Sequence, residues 1–310
     1  MKILECVPNF SEGCDQKKLD AIASVFEKFP DVDLVNYSGD ADHNRSVFTF
    51  LGKPKDVLDA ALAAAGKALE LIDMREQSGV HPRLGAVDVV PFIPLGQAHM
   101  PDAVEAAHLF GHRLFEQFGV PVYFYGQAAL SHGRRELADI RRGGYEGLTR
   151  KMAHPEGKPD VGNPAFNPRH GATATGAREP LVAYNINLKS SDLKLAQAIA
   201  AQIREKNGGL KYVRAIGLML KSRDVAQVSM NLTNTRETPL KIVYDEVGRL
   251  AAEHSVDILE SELIGLAPKY AFSGTTPAKL KLPDFDDNRL LETHFNRFAY
   301  ARAAHDSRRG

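Results

Sequence analysis

The residue best suited to acid–base chemistry is His81, which lies in the segment SGVHPRLGAVD at positions 78–88. Glycine and proline predict a turn here, between a helical pattern and a buried-type strand. Imidazole has an ordinary pKa close to neutral, so a histidine held in a turn is a natural general base. A histidine with a purely structural role in the turn is the alternative that the residues leave open.

A second polar segment, DADH at positions 40–43, places carboxylate and imidazole groups in a loop between two predicted strands. Such groups bind metals, but a polar loop also uses Asp to satisfy its own backbone. His108 and His112 have the i, i+4 spacing of half an HExxH zinc motif. Leu109 stands where that motif requires glutamate, which excludes a zinc protease and favours a solvated helix face.

Arginine is concentrated between positions 131 and 142, where four arginines outnumber two acidic residues. Guanidinium groups suit ligand carboxylates, and a solvated amphipathic helix is the alternative. Arg178 ends the small-residue segment GATATGAR at positions 171–178 and is predicted to bind a carboxylate in a cleft between two halves of the chain. Simple packing between the halves explains these glycines equally well. Neither G-x-x-x-x-G-K nor G-x-G-x-x-G occurs, so nucleotide-driven chemistry is disfavoured.

These residues must be positioned by a sheet, because apolar β-rich runs alternate with helical patterns throughout. The first half has the order β-α-β-β-α-β followed by one more helix and strand. The predicted strands are 3–7, 32–37, 46–51, 87–93 and 120–125, and the helices are 15–29 with Asp15 as N-cap, 54–72 and 102–118.

The same order returns in the second half, with strands 181–188, 213–220, 226–232 and 256–263 and helices 193–206 and 240–253. Two split β-α-β units predict an α+β protein, an α/β sandwich of two ferredoxin-like βαββαβ subdomains with a ligand cleft between them. Two unrelated halves are the alternative. The predicted boundaries are 1–177, 178–270 and an irregular tail, 271–310, with a short helix near 289–304. The stretch 158–171 is rich in Pro and Gly, which indicates a functional loop or a linker.

The composition narrows the class of protein. The 310 residues contain 39 Lys and Arg against 39 Asp and Glu, with 44% hydrophobic residues, which disfavours nucleic-acid binding and disorder. No apolar run long enough to span a membrane and no secretory signal are present. The two cysteines, Cys6 and Cys14, form no CxxC motif, and we expect a cytoplasmic protein with reduced thiols.

Four segments together resemble a known family. They are ECVPNFSEG at 5–13, LIDMREQSGVHPRLGAVDVVPFIP at 71–94, VPVYFYG at 120–126 and GATATGAREPLVAYNINL at 171–188. They are similar to the formiminotransferase domain of the glutamate formimidoyltransferase and formimidoyltransferase-cyclodeaminase family, over the first 266 or so residues. The resemblance implies transfer of a formimidoyl group from N-formimidoyl-L-glutamate to the co-substrate tetrahydrofolate in histidine degradation, usually in a homodimer. We expect no metal, because the amidinium group already carries positive charge. A chain of this length leaves no room for a cyclodeaminase, so only the transferase activity is implied.

The resemblance also implies roles for individual residues. His81 matches the family's catalytic histidine, and Asp40 is the candidate acid beside it, since some members carry an acidic residue where Ser38 stands. Arg45, Arg83 and Arg178 are the candidates to bind substrate carboxylates. The folate-binding loop corresponds to Gly162, Asn163, Pro164, Ala165, Phe166, Asn167, Pro168, Arg169, His170 and Gly171.

Three other functions remain open at this point. A transferase for another donor, such as formimidoylglycine, would differ only in the pocket. A folate-binding protein without turnover would bind tetrahydrofolate and transfer nothing. A metal-dependent hydrolase that uses Asp40, Asp42 and His43 would lose activity in a chelator.

Overall fold

A computed structural model describes residues 1–79, 82–163, 165–283 and 285–306. The chain forms two compact units, Met1–Arg178 and Glu179–Gly310. Each unit has its own sheet and its own apolar core, so each is an α+β structure. Among the described residues, no helix combines the length and the apolar character that crossing a membrane requires.

In its described residues, the first unit contains seven strands and five α-helices. The strands are β1 (Lys2–Cys6), β2 (Asn9–Phe10), β3 (Val32–Asp40), β4 (Arg45–Gly52), β5 (Val87–Gly96), β6 (Val122–Gly126) and β7 (Thr173–Ala177). The helices are α1 (Gln16–Ala23), α2 (Pro54–Leu71), α3 (Met100–Phe118) and the short α4 (Leu137–Ile140) and α5 (Leu148–Ala153).

The sheet of the first unit is antiparallel on one side and parallel on the other. β1 lies between β4 and β5 and is antiparallel to both, and β3 pairs with the outer edge of β4. β2 continues the path of β1 and pairs with the same two strands. β7 then pairs with β5 and β6 in parallel, so the carboxyl ends of these three strands meet at one edge of the sheet.

The two faces of this sheet are covered differently. Phe124 belongs to the main core with the alanine-rich α2 and with α3, whereas its neighbours Tyr123 and Tyr125 belong to a smaller cluster that includes Ile140 of α4. Successive residues of a strand point to opposite faces. The large core therefore lies under the long helices, and the opposite face carries the smaller cluster.

The second unit contains β8 (Val182–Leu188), α6 (Leu193–Ile203), β9 (Val213–Leu220), β10 (Val225–Leu232), α7 (Leu240–Ala252), β11 (Ile258–Ile264) and α8 (Leu291–Asp306). Within the part of this unit that the structure describes, four strands are antiparallel in the order β11-β8-β10-β9. Alternate residues of β8, such as Tyr184 and Ile186, pack with α6 and α7 in a separate core.

Most elements predicted from the sequence are confirmed to within three residues at each end. The predicted helix 15–29 is wrong in its second half, where α1 gives way to a 3₁₀ turn at Ser24–Lys28. The Ser24 hydroxyl donates to the carbonyl of Ala21 at 2.9 Å, a local bond that competes with a regular helix.

The sequence pattern does not predict the strand β7. Its sequence TATGA lacks the large β-branched and aromatic residues typical of a central strand. The structure nevertheless accommodates it, because Thr173 and Thr175 donate to the carbonyls of Val87 and Val90 at 2.7 and 2.8 Å. Arg178 therefore follows a strand of the first unit.

Candidate functional site

The segment that leads to His81 packs against the turn between β3 and β4. Gly79 has no room for a side chain, since a Cβ there would lie 2.4 Å from the carbonyl oxygen of His43. The side-chain Nδ2 of Asn44 donates to the carbonyl of Ser78 at 2.8 Å. Val80, His81 and Pro164 lie outside the described residues, so the role of His81 stays a prediction.

Asp40, the predicted acid, is the last residue of β3 and stabilises the turn that follows it. Its Oδ1 accepts from the backbone N–H of His43 at 2.9 Å, and its Oδ2 lies 3.3 Å from Nδ1 of His43. Because this turn also contacts Gly79, the structure brings Asp40 and the segment entering His81 into one region of the first unit.

Arg83 contacts the described residues that precede position 81 in the sequence. Its Nη2 donates to the carbonyl of Gln77 at 2.9 Å and to Oε1 of Glu146 at 3.0 Å. Only 12% of the Arg83 side chain is exposed, against 66% for Glu146. The guanidinium group is therefore held on one side by the backbone and on the other by a solvated carboxylate.

Arg45 already has protein partners. Its Nη1 lies 2.9 Å from Oδ2 of Asp88, and its Nε and Nη2 donate to Oδ1 of Asn9 at 2.8 and 2.6 Å. Arg141 binds the same Asp88 oxygen, and the other Asp88 oxygen accepts from the N–H of Leu84 at 2.8 Å. Burial and the neighbouring Arg141 lower the pKa of Arg45, and Asp88 opposes that shift. Arg45, Arg141 and Asp88 therefore form a buried network of ion pairs at the start of β5.

Arg178 lies beside two buried groups of the same unit. Burial raises the pKa of the Glu5 carboxyl in β1 to about 7, although the charge of Arg178 lowers it. Burial also raises the pKa of Tyr125, against the charge and the hydrogen bond of Arg178. A cation, a carboxyl group that titrates near neutral pH and a phenol therefore meet beside β1, β6 and the end of β7.

The predicted folate-binding loop is partly exposed. Asn163 and Ala165 are exposed, whereas the half-buried Phe166 packs on the ring of Tyr145 with 5.4 Å between centroids. Gly162 has a φ of +100° and lies against Phe115, where a Cβ would come within 2.6 Å of the ring. The first residue of the loop therefore packs against α3, and Asn163 and Ala165 are exposed to solvent.

Local bonds shape the middle of this loop. Oδ1 of Asn167 accepts from the N–H of Arg169 at 2.9 Å, and Tyr145 donates to the carbonyl of Pro168 at 2.5 Å. Arg169 donates to the carbonyl of Glu70 at 3.0 Å. The Arg169 bond ties this part of the loop to the end of α2, and the Tyr145 bond ties it to the segment between α4 and α5.

The end of the loop pairs with the histidine motif. The carbonyl of His170 accepts from the N–H of Ala86 at 2.9 Å, and the N–H of Ala172 donates to the carbonyl of Leu84 at 3.1 Å. Gly171 lies between them with a φ of +66°, and a Cβ there would lie 2.2 Å from the Leu84 carbonyl oxygen. The structure therefore joins the predicted folate loop to residues 84–86, three to five positions after His81.

The other polar segments serve the fold. Three arginines of the 131–142 segment pair with acids of the same unit: Arg134 with Asp160, Arg141 with Asp88 and Arg142 with Asp139. The predicted solvated helix face is wrong for His108, whose Nε2 lies 2.9 Å from the carbonyl of Ala128 and whose ring packs on Phe124. No group of three His, Cys, Asp or Glu side chains suited to a metal ion occurs in the described ranges.

Comparison with known proteins shows the family to which the sequence belongs. Residues 3–178 match the family model of the N-terminal subdomain of the formiminotransferase domain, and residues 183–278 match that of the formiminotransferase domain. The chain belongs to the formiminotransferase family.

Relatives of this formiminotransferase chain include both short and long proteins. It is 40% identical to a glutamate formimidoyltransferase of Streptococcus pyogenes serotype M1, over 94% of the chain and 98% of that protein. A Thermoplasma acidophilum protein of the same name is also 40% identical, over 96% and 99%. The formimidoyltransferase-cyclodeaminase of Gallus gallus is 47% identical over 87% of the chain, which spans about half (51%) of that protein's length.

Sequence reasoning assigned no role to several polar residues of the formiminotransferase chain. Asp88 and Glu5 stand within apolar strands and are only 1% and 6% exposed. A charged residue inside a buried strand pattern is a signal that could have identified both, because such a group needs a partner. Asn44 and Glu12, which are also buried, lie in polar loops and gave no comparable signal.

Proposed function

We propose that this protein is a glutamate formimidoyltransferase, which transfers the formimidoyl group of N-formimidoyl-L-glutamate to tetrahydrofolate in histidine degradation. One observation carries the proposal. The 40% identity to two glutamate formimidoyltransferases extends over 98% and 99% of their lengths, so it includes both units.

The proposed reaction is an amidine transfer. N5 of tetrahydrofolate attacks the formimidoyl carbon, and the tetrahedral intermediate expels the amine of glutamate. The N5 proton must be removed and the departing amine must be protonated, so a single imidazole can perform both steps in turn. We propose His81 for this role and Asp40 as the acid that orients it. The turn of Asp40 packs on Gly79, which supports the pairing.

We propose that the loop 162–171 binds the folate. Its exposed residues are accessible to a ligand, and its end is bonded to the backbone at Leu84 and Ala86. A loop anchored in this way would hold the folate at a fixed distance from residue 81, and positioning of this kind is a large part of catalysis.

Two of the three candidate arginines, Arg83 and Arg178, are proposed to bind the carboxylates of the substrates. Arg83 is the best supported, because its partner Glu146 is largely exposed and can exchange for a ligand carboxylate. Arg178 has Glu5 beside it, and protonation of that buried carboxyl would leave more of the cation's charge for a ligand. Arg45 is bound to Asp88 and Asn9, so we assign it to the support of the site rather than to direct contact.

We further propose that the protein is a cytoplasmic homodimer. Each subunit would consist of two ferredoxin-like subdomains, 1–177 and 178–270, and a tail, 271–310. The strand order β11-β8-β10-β9 and the path β5-β1-β4-β3 support this architecture. Sedimentation or light scattering of the purified protein would measure the number of subunits.

A turnover assay tests the function directly. Purified protein, tetrahydrofolate and formimidoylglutamate should yield 5-formimidoyltetrahydrofolate and glutamate, and formimidoylglycine should be a poorer donor. Binding of tetrahydrofolate without transfer from either donor would contradict the proposal and favour a folate-binding protein. Faster turnover of formimidoylglycine would reassign the donor.

The same assay with a chelator tests the hydrolase alternative. The amidinium group already carries positive charge, so the proposed transfer needs no Lewis acid, and rates with and without chelator should agree. Loss of activity in the chelator, restored by a divalent metal, would instead favour a metal site at Asp40, Asp42 and His43.

A further inference from the structure

Asn44 joins three separate segments of the first unit through its side-chain amide. Its Oδ1 accepts from the N–H of Gly13 at 2.9 Å and from Sγ of Cys14 at 3.5 Å. Its Nδ2 donates to Oε1 of Gln77 at 2.7 Å and to the carbonyl of Ser78 at 2.8 Å. Both donors and both acceptor positions of the amide are therefore used, in a residue only 8% exposed.

A second connection runs from Gln77 to Glu12. Nε2 of Gln77 lies 3.3 Å from Oε2 of Glu12. The other Glu12 oxygen accepts from the N–H groups of Cys14 and Asp15 at 3.0 Å, and Lys18 lies 3.0 Å from Oε2. Burial raises the pKa of Glu12, but these hydrogen bonds outweigh it and lower the pKa overall. Glu12 is therefore a fixed anchor at the start of α1.

Glycines let the three segments approach closely. A Cβ at Gly13 would lie 2.2 Å from the carbonyl oxygen of Asp40 and 2.4 Å from the N of Arg45. A Cβ at Gly79 would lie 3.0 Å from Cβ of Asn44. The backbone at Gly13 and the backbone at Gly79 therefore both pack closely on the turn that contains Asn44. The amide of Asn44 forms hydrogen bonds to both segments.

We propose that Asn44 is a positioning residue, which fixes the segment entering His81 relative to the turn that carries Asp40. The inference rests on the proposed function, because it assigns Asn44 an effect on the reaction through His81. Ser78, which Asn44 bonds, and Gly79, which packs on it, are three and two positions before the histidine in the sequence. Arg83, two positions after it, donates to the carbonyl of Gln77.

The residue type matters for two reasons. Asn44 has a φ of +45°, a region that asparagine tolerates better than most residues other than glycine. Glycine would keep this backbone and remove all four side-chain bonds. Aspartate would keep the two accepted bonds and lose both donations to residues 77 and 78.

The test compares Asn44→Gly with a matched control, Asp224→Gly. Asp224 ends the turn between β9 and β10 as Asn44 ends the turn between β3 and β4, and its φ is +52°. We expect Asn44→Gly to lower kcat for formimidoyl transfer by about 10²-fold, because a misplacement of about 1 Å at the reacting groups costs that much. The KM values for both substrates should stay within about twofold, and Asp224→Gly should change neither.

A second variant keeps the test decisive if Asn44→Gly fails to fold. Gln77→Leu removes one Asn44 bond and the link to Glu12 and leaves the turn intact, so kcat should fall by about tenfold at unchanged KM. Asn44→Asp should be as slow as Asn44→Gly, since both lose the bonds to residues 77 and 78.

The outcomes separate the two proposals. A wild-type protein without transfer contradicts the proposed function and the inference with it. An active wild type whose Asn44→Gly and Gln77→Leu variants keep normal kcat, or change KM alone, overturns the positioning role and leaves the function standing. An equal loss of kcat in Asp224→Gly would also overturn it.

Discussion

Nη1 of Arg45 lies 2.9 Å from Oδ2 of Asp88, and the carboxylate that it contacts is only 1% exposed. The pair joins the start of β4 to the start of β5. The second oxygen of Asp88 accepts from the N–H of Leu84. The carbonyl of Leu84 in turn accepts from the N–H of Ala172, directly after the proposed folate loop. One buried ion pair therefore supports both the sheet and the loop.

Replacement of Asp88 by asparagine should strongly destabilise the protein. Arg45 and Arg141 would each lose a buried counter-charge, and breaking a buried pair from one side costs about 3–5 kcal/mol. Urea unfolding would measure the loss. Asp139→Asn is the control, because Asp139 pairs with Arg142 at the surface and should have little effect. A stable Asp88→Asn variant would contradict the importance of the pair.

Glu5 should make stability depend on pH. Burial raises its pKa in the folded protein from 4.5 to about 7, so the folded chain keeps a proton that the unfolded chain releases. The stability from this proton is complete below about pH 4.5 and is lost as the pH rises through about 7. Relative to Glu5→Gln, the wild type should lose about 3 kcal/mol of unfolding free energy over that range.

Urea unfolding of both proteins at about pH 4.5 and about pH 8 would measure this difference. Glu105→Gln serves as the control, since Glu105 is an exposed residue of α3 and its replacement should leave the pH dependence unchanged. Parallel pH profiles for wild type and Glu5→Gln would refute the assignment.

Gly171 should not tolerate a side chain. Its φ is +66°, and a Cβ would lie 2.2 Å from the Leu84 carbonyl oxygen, so alanine must displace the backbone that joins the loop to the histidine motif. We expect Gly171→Ala to cost at least about 3 kcal/mol and to weaken tetrahydrofolate binding. Thermal unfolding and a binding titration would test both.

Gly119→Ala separates the steric effect from the backbone preference. Gly119 has nearly the same φ, +68°, but no atom within 4 Å of the added Cβ. It should lose only about 1–2 kcal/mol, the cost of a left-handed residue, and bind folate normally. Equal losses for the two variants would show that the contact with Leu84 has no effect.

The regular elements could be predicted from the sequence because their signals are local. Asp15 accepts from the N–H groups of Lys17 and Lys18 as an N-cap, and the predicted strand 213–220 has the bounds found in the structure. β7 could not be predicted in this way. Its small residues form a strand only because β5 and β6 lie on either side of it, and that is a tertiary effect.

The candidate site was predicted in part for a similar reason. The sequence pointed to Arg45, Arg83 and Arg178, but their partners Asp88, Glu146 and Glu5 are between 43 and 173 positions away along the chain. Whether an arginine is paired with a buried carboxylate of the protein or is able to bind a ligand carboxylate depends on such long-range pairs. Asn44 is the clearest omission, because a turn asparagine gives no sign of the residues it will hold.

His81→Asn should lower kcat for formimidoyl transfer by about 10²-fold or more, because the amide cannot take the N5 proton. Tetrahydrofolate should still bind, since the loop 162–171 is untouched, and a titration of the variant would show this. His112→Asn is a suitable control, because His112 is an exposed residue of α3. The wild-type rate should also rise with pH as the imidazole loses its proton, and the variant should lack that limb. Near-normal turnover, or an unchanged pH profile, would remove His81 from the proposed mechanism.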